Sequence, residues 1–264
     1  MFVTLLTDFG TADYFVGAMK GAILSISPQA RIVDITHEVP AHDIQAGAFT
    51  LLAAYETFPE GTVHVAVVDP GVGSARRPIL VAGRRYVFVG PDNGLFSYIY
   101  ERETEFQVFH LTNESYFRPR VSSTFHGRDV FAPVAGAIAS GVEPARLGEL
   151  VTDYVRLAPL APQRVVDGTL EASIIHIDRF GNCVTNISRH DLTDEAIARG
   201  ARLSVGAHEI SSFREFFAEG AEGELFAVWG SAGLLEIAAF CDSAARRLTA
   251  RRGQTVLVRS LEST

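Results

Sequence analysis

The stretch V-H-V-A-V-V-D-P-G-V-G-S-A-R-R, residues 63–77, decides how this chain is built. Val63 and the run Val65 to Val68 read as a buried strand, because near-continuous β-branched sequence is what a strand covered on both faces requires. The strand delivers a carboxylate, Asp69, onto a turn made of Pro70, Gly71 and Gly73, with Arg76 and Arg77 close behind. In α/β sheets ligands collect beyond the carboxyl ends of strands, where loops turn polar groups inward without breaking the ladder. An Asp-Pro-Gly turn closed by an ion pair is equally a common structural corner. From this segment alone both readings stand.

Outward from it, residues 1–157 alternate apolar runs of strand type with amphipathic helical runs, the pattern of a mostly parallel α/β sandwich. Phe2 to Leu6 read as a strand, and Phe15, Val16, Met19, Ala22, Ile23 and Ile26 recur at helical spacing. Ile32 to Ile35 form a second strand, followed by a helix through Ala46, Phe49, Leu52, Ala53 and Phe58. Beyond Val68 come a hairpin-like pair (Pro78 to Ala82, Tyr86 to Gly90), a short helix near Leu95 to Tyr100, a strand at Phe106 to Leu111 and a helix from Val130 to Ala139. Residues 157–164, L-A-P-L-A-P-Q-R, read as a proline-punctuated linker. Residues 165–264 hold short β-rich segments spaced by Gly turns, which predicts a second, smaller domain of barrel or sandwich type.

Composition narrows the function classes. The chain has 264 residues and a formal net charge of -8, which argues against nucleic-acid and anionic-membrane partners, since these are met by clustered Lys and Arg. The one basic cluster, Arg246, Arg247, Arg251 and Arg252, reads as a solvated helix face. No stretch approaches the ~18 uninterrupted apolar residues of a membrane helix. The start, M-F-V-T-L-L-T-D-F-G, lacks the basic and small-residue features of a signal peptide. Cys183 and Cys241 are the only cysteines and are not closely paired, which fits a reducing compartment and excludes a cysteine-based zinc site. A cytoplasmic protein is expected.

Three further polar clusters accompany Asp69. Thr7-Asp8-Phe9-Gly10 follows the first strand, where a carboxylate is able to bind paired ribose hydroxyls; a structural helix-entrance Asp is the competing reading. S-S-T-F-H-G-R-D, residues 122–129, places His126 beside Gly127, so that backbone approaches a ligand while an imidazole titrates near neutral pH. D-R-F-G-N-C-V-T-N, residues 178–186, flanks Phe180 with Asp178 and Asn182, and also reads as a capped β-turn. Metal binding scores poorly, because His37-Glu38 and His42 are one residue too widely spaced for H-E-x-x-H and Pro40 intervenes. No G-x-G-x-x-G follows the first strand and no G-x-x-x-x-G-K-S/T occurs, so a dinucleotide or P-loop cradle is missing. Asp-Phe-Gly at residues 8–10 lacks the Gly-rich loop and strand Lys of a kinase.

Taken in order, T-D-F-G at Thr7, V-D-P-G-V-G at Val68, P-D-N-G at Pro91, F-H-G-R-D at Phe125 and R-F-G-N at Arg179 resemble the S-adenosyl-L-methionine (SAM) hydrolases that form adenosine, the SAM hydroxide adenosyltransferases. The resemblance covers nearly the whole chain. It implies an N-terminal α/β domain at residues 1–157, a C-terminal β-barrel domain at residues 165–264 that completes the site, and a homotrimer with sites between subunits. By the same resemblance Asp69, Arg76 and His126 match the catalytic set, and Asp8 matches the carboxylate that holds the ribose diol. Asp178 matches the group at the methionine ammonium, Asn182 lies near the adenine with Phe180 flanking, and Ser231 in W-G-S-A-G-L-L meets the methionine carboxylate. Two positions depart from the family pattern: His42 stands where relatives place an aromatic ring against the sugar, and Ala232 replaces a larger residue. SAM is then the substrate and no cofactor or metal is expected.

Water or hydroxide attacking the 5′ carbon of SAM displaces a neutral thioether, so the catalytic burden falls on the nucleophile. Bringing an anion to a sulfonium disperses charge, which a dry site favours. The related fluorinases and chlorinases attack the same carbon with halide. A carboxylate beside a halide costs several kcal/mol in a low-dielectric site, so Asp69 favours hydrolysis. A noncatalytic adenosine or SAM sensor is the alternative from another class.

Overall fold

The computed structural model describes residues 1–165 and 168–259. The chain divides into two compact units, Met1–Pro159 and Leu160–Thr264. Residues 166–167 and 260–264 of the expected second domain lie outside the described residues.

The first unit runs β1 (Phe2–Thr7), α1 (Phe15–Ile26), β2 (Arg31–Thr36), α2 (Ile44–Ala54), β3 (Val63–Val67), β4 (Pro78–Gly83), β5 (Val87–Pro91), α3 (Ser97–Arg102), β6 (Phe106–Leu111), α4 (Ala132–Ala139) and β7 (Gly148–Val151). Its sheet has the order β2-β1-β3-β5-β4-β6-β7. The first four of these are parallel, whereas β4, β6 and β7 add antiparallel ladders. The sheet is therefore mixed rather than mostly parallel. The reason is loop length: only residues 84–86 join β4 to β5, and a parallel return needs a crossover of a dozen or more residues.

All five residues of β3 are buried, as the unbroken apolar run requires. Val16, Met19, Ala22 and Ile23 are the buried stripe of α1, and they pack with Val3, Leu5, Val63, Val65 and Val67 in one core that includes α4. Helix α2 starts at Asp43, whose Oδ1 accepts the Ala46 N–H at 3.0 Å, a cap that contributes about 1 kcal/mol. It ends at Ala54, short of the expected Phe58, and a single 3₁₀ turn, Tyr55–Thr57, leads to Phe58 in extended backbone. Pro59 accounts for this, since the residue before a proline is driven out of helical conformation.

The helix expected over 130–139 is preceded by a π-helical turn, Gly127–Phe131. Pro133 has no N–H to give to the carbonyl four residues back, that of Asp129. That carbonyl accepts the Arg118 N–H instead, at 2.9 Å.

The second unit contains β8 (Gln163–Arg164), β9 (Leu170–Ile177), β10 (Cys183–Ser188), α5 (Asp194–Ala198), β11 (Arg202–Val205), β12 (His208–Ile210), β13 (Phe213–Arg214), β14 (Leu225–Trp229), β15 (Leu234–Ala239), α6 (Ala244–Leu248) and β16 (Thr255–Arg259). They form one sheet, β12-β11-β16-β9-β10-β15-β14-β13, with β8 on β9. The sheet curls until β12 meets β14, a half-barrel around Ile174, Leu203, Ile237 and Val256. The stretch read as a linker is tied down at both ends. Leu157 donates its N–H to Ser97 Oγ at 2.7 Å, and Gln163 and Arg164 pair with Glu171 and Leu170. Of the basic cluster, Arg246 and Arg247 lie in α6 and both pair with Asp242, while Arg251 and Arg252 follow it. Among the described residues no helix is long and apolar enough to cross a membrane.

Candidate active site

Parallel register sets the first unit's site. Thr7 of β1 pairs with Val67 of β3, so Asp8 and the Val68-Asp69 step leave the sheet together at the carboxyl edge of adjacent strands. Asn93, from the P-D-N-G motif after β5, donates to the Val68 carbonyl at 2.8 Å and holds the root of the Asp69 loop. The loop itself closes through Val72 N–H to the Asp69 carbonyl at 3.2 Å and Ser74 N–H to the Gly71 carbonyl at 3.1 Å. Gly73 has φ +77°, and a Cβ there would lie 2.1 Å from the Ser123 carbonyl oxygen. Only glycine permits that backbone and that approach, so the loop of Asp69 packs directly on the loop of His126.

The two loops meet chemically at Arg76. Its Nε donates to Asp69 Oδ1 at 2.8 Å, its Nη2 donates to Asp69 Oδ2, and Nη2 also lies 2.9 Å from His126 Nδ1. The side chains of Arg76 and Asp69 are 9% and 4% exposed, so the ion pair is screened little by solvent. An arginine donates and never accepts, so His126 Nδ1 is the acceptor and the neutral ring carries its proton on Nε2. Burial lowers the His126 pKa, the Arg76 charge lowers it further, and Asp69 and Asp129 oppose both. Arg76 Nη1 is buried and meets no acceptor among the described residues, while the guanidinium carbon sits 5.2 Å from the centre of the Phe131 ring. Arg77 takes no part. It binds Asp92 at 2.7 Å and Asp153 at 2.8 Å.

Asp129 organises the loop that carries His126. Fully buried, it accepts Arg128 Nε at 2.7 Å and Nη2 at 2.9 Å and the Ser122 N–H at 2.9 Å. Burial opposes its ionisation, but Arg128, Ser122 and Arg118 outweigh that and hold its pKa below the ordinary carboxylate value. In S-S-T-F-H-G-R-D nothing local separates this role from that of His126.

Asp8 is the third element of the edge. Its Oδ2 accepts the His42 N–H at 2.8 Å, and its side chain is 8% exposed. The turn behind it is fixed by Gly10 N–H to the His37 carbonyl at 2.8 Å and by Thr7 Oγ1 against His37 Nδ1 at 2.9 Å.

In the second unit Asp178, Phe180 and Asn182 share one turn between β9 and β10. Asp178 Oδ1 accepts the N–H groups of Phe180 at 2.9 Å and Asn182 at 2.8 Å, and Oδ2 accepts Asn182 Nδ2 at 2.9 Å. A carboxylate offers about four lone-pair positions, so this one retains capacity for another donor. Phe180 is 77% exposed at the rim of a cavity of about 530 Å³ lined also by Asn182, Phe217, Phe240 and Ser243. Ser231 lies exposed in the hairpin turn between β14 and β15, closed by Gly230 N–H to the Leu234 carbonyl at 2.9 Å. Glu236 links these pieces. A Cβ on Gly230 would lie 1.9 Å from its Oε1, and its pKa is raised by burial and then by the Asp178 charge. The signal for it was a lone acid in the apolar strand L-L-E-I-A-A. Among the described residues no group of three or more His, Cys, Asp and Glu is placed to hold a metal.

A mixed α/β unit with a carboxylate, a guanidinium and an imidazole bonded in series at its strand ends, followed by a curled β unit, defines a class of two-domain α/β proteins with a buried charged site. The chain belongs to the SAM hydroxide adenosyltransferase family: its N-terminal domain matches residues 3–148 and its C-terminal domain residues 172–257. The chain is 39% identical over 259 residues to the (R)-S-adenosyl-L-methionine hydrolase of Methanocaldococcus jannaschii, covering 93% of this chain and 91% of that protein. An uncharacterized conserved protein from Thermotoga maritima has the same fold, with a TM-score of 0.91 at 32% identity over 98% of this chain and 99% of that one. The fluorinase of an Actinoplanes species is more distant, 29% identical over 76% of each chain.

Proposed function

We propose that this protein hydrolyses SAM to adenosine and L-methionine by attack of water or hydroxide at the ribose 5′ carbon, and that it takes the (R) sulfonium named for its relative. The observation that carries the reading is the bond series Asp69, Arg76, His126 on the same sheet edge as Asp8. In this assignment Asp8 accepts the ribose hydroxyls, Asp178 receives the methionine ammonium, Asn182 and Phe180 hold the adenine, and Ser231 meets the methionine carboxylate. The aromatic rim of the second unit's cavity supports an adenine there, because a base stacks on an exposed ring.

The chain's groups divide the work on the nucleophile. His126, with its Nδ1 occupied by Arg76, offers Nε2–H to a lone pair of the attacking oxygen. Asp69 accepts the proton that water loses, and the balance is SAM plus water giving adenosine, methionine and one proton released to solvent. Arg76 fixes both partners and keeps one amino group, Nη1, uncommitted beside the developing charge. Joining hydroxide to a sulfonium consumes charge, so a site with little water speeds it.

A carboxylate in this position disfavours halide, and the greater distance of the fluorinases agrees with hydrolysis as the reaction. The idle-sensor alternative is separated by turnover. The curled second sheet acts as the family's β-barrel domain, and the molecule is a cytoplasmic homotrimer whose neighbouring subunits complete each site. Incubation with SAM, with chromatography for adenosine and methionine, tests the activity, and light scattering tests the trimer. No adenosine above the uncatalysed rate, or its formation at an unchanged rate by Asp69→Ala, sinks the assignment.

A further inference from the structure

We infer that His37 is a positioning residue, which aims the Asp8 carboxylate through the Thr7 hydroxyl and through its own carbonyl and so sets a preference for ribose over 2′-deoxyribose. The inference rests on the reading of Asp8 as the ribose carboxylate. His37 itself stands in none of the motifs that carry the family resemblance; in the sequence it figures only as half of a failed metal pair.

The arrangement begins with a slip in the sheet. Leu5 of β1 pairs with Asp34 of β2 but Leu6 pairs with Thr36, so Ile35 is passed over. Residues three apart on an unbroken strand point to opposite faces, whereas an extra residue in one strand re-aims the side chains beyond it. Asp34 and His37 thereby face each other, and His37 comes beside Thr7, the last residue of β1.

Four side chains then follow in series from α1 to the turn of Asp8. Lys20 Nζ lies 2.6 Å from Asp34 Oδ2, Asp34 Oδ1 lies 3.2 Å from His37 Nε2, and His37 Nδ1 lies 2.9 Å from Thr7 Oγ1. His37 and Thr7 are both buried. Burial opposes the charge of Asp34, but Lys20 and His37 outweigh it and hold its pKa below the ordinary value, so Asp34 only accepts. In the neutral imidazole the proton therefore sits on Nε2, which meets no other acceptor among the described residues, and Nδ1 accepts the Thr7 hydroxyl. Thr7 Oγ1 in turn accepts the Phe9 N–H at 3.2 Å, and the His37 carbonyl accepts the Gly10 N–H at 2.8 Å. The two backbone donors that follow Asp8 thus both end on His37, one directly and one through Thr7.

A carboxylate distinguishes a diol from a single hydroxyl only when its lone pairs are aimed at both donors. Asp8 Oδ2 already accepts the His42 N–H at 2.8 Å, and the side chain is 8% exposed. The direction of its remaining lone pairs is therefore set by the turn rather than by solvent. A turn released from His37 keeps the charge of Asp8 and loses its aim.

The test compares wild type with Thr7→Val, His37→Leu and His37→Asn, using calorimetric Kd values for adenosine and 2′-deoxyadenosine, steady-state kinetics with SAM, and a thermal melt. Valine copies the shape of threonine without the hydroxyl, and the asparagine side-chain oxygen replaces Nδ1 as the acceptor. Wild type should bind adenosine at least roughly tenfold more tightly than 2′-deoxyadenosine, as loss of a hydrogen bond to a charged group requires. In Thr7→Val and His37→Leu that ratio should fall below about threefold, with KM for SAM raised roughly tenfold and kcat within about twofold, the pattern of lost uniform binding. His37→Asn should keep the wild-type ratio to within about threefold. A wild-type ratio retained in both Thr7→Val and His37→Leu, or an asparagine variant as indiscriminate as the leucine one, overturns the inference alone. Collapse of the melt in all three variants does the same, since the series is then only a scaffold for β1 and β2. A wild type that binds both nucleosides equally, or neither, overturns the inference together with the ribose assignment of Asp8.

Discussion

Arg76 Nη2 stands 2.9 Å from His126 Nδ1, and this contact decides which nitrogen of the imidazole carries the proton. The ring is held as a donor through Nε2. Replacing Arg76 by Gln should lower kcat by roughly 10²–10⁴-fold, the range for losing positioned acid-base function. Since Arg76 is one of the causes that depress the His126 pKa, the acid limb of the residual kcat profile should move to higher pH. A kcat–pH series on the two proteins checks both.

The pH sign follows from the same residue. Because burial and Arg76 hold the His126 pKa below its ordinary value, the neutral ring persists through neutrality and is lost only as pH falls through the depressed value. Activity should therefore be level near pH 7 and decline in acid, with His126→Ala losing the limb together with most turnover. Stopped-time assays of adenosine across pH, at saturating SAM, measure it.

Stability should carry an imidazole of its own. His64 is fully buried, bonded through Nδ1 to Thr4 Oγ1 at 2.7 Å and stacked on Phe88 at 5.2 Å. Burial pushes its pKa down to about 3. A histidine with a lowered folded-state pKa binds its proton more readily when unfolded, so the stability it contributes is present above the ordinary value of about 6.5 and is lost as pH falls toward 3. Denaturant unfolding should show wild type losing about 1.4 kcal/mol per pH unit more than His64→Phe over that window.

Phe180 offers a separation of binding from folding. An aromatic ring 77% exposed contributes little to the fold, so Phe180→Ala should change unfolding free energy by less than about 0.5 kcal/mol. Loss of base stacking worth about 1–3 kcal/mol should raise KM for SAM roughly tenfold. A thermal melt beside steady-state kinetics tells the two apart.

Halide should not divert the reaction. With Asp69 bonded to Arg76 on both oxygens, a second anion at that place meets a like charge in a site of low dielectric. Reactions supplemented with fluoride or chloride should yield adenosine and no 5′-halogenated nucleoside by mass spectrometry.

Much of this was legible in the chain because each signal was local. Val63 to Val67 announced a strand covered on both faces, the α1 stripe announced its period, and Asp69, Arg76 and His126 sat in glycine-containing motifs. The features that escaped depend on partners far away in sequence. Antiparallel β4, β6 and β7 follow from a short connection whose consequence appears only when β5 has joined β3. The π-helical turn before α4 arises from Pro133 and is completed by Arg118. His64 finds Thr4 at a separation of 60 residues, and the positive φ of His42 sits in P-A-H-D, where no glycine announces it. Glu236 was hidden in an apolar strand because its neighbour Asp178 belongs to a different hairpin.

The contact of Gly73 with the Ser123 carbonyl has a consequence for heredity. Every other amino acid carries a Cβ, so any base change that alters this codon's meaning pushes the loops of Asp69 and His126 apart. The position between Val72 and Ser74 is therefore closed to drift. A library randomised over the loop and selected for turnover should return glycine at position 73 whatever else it accepts.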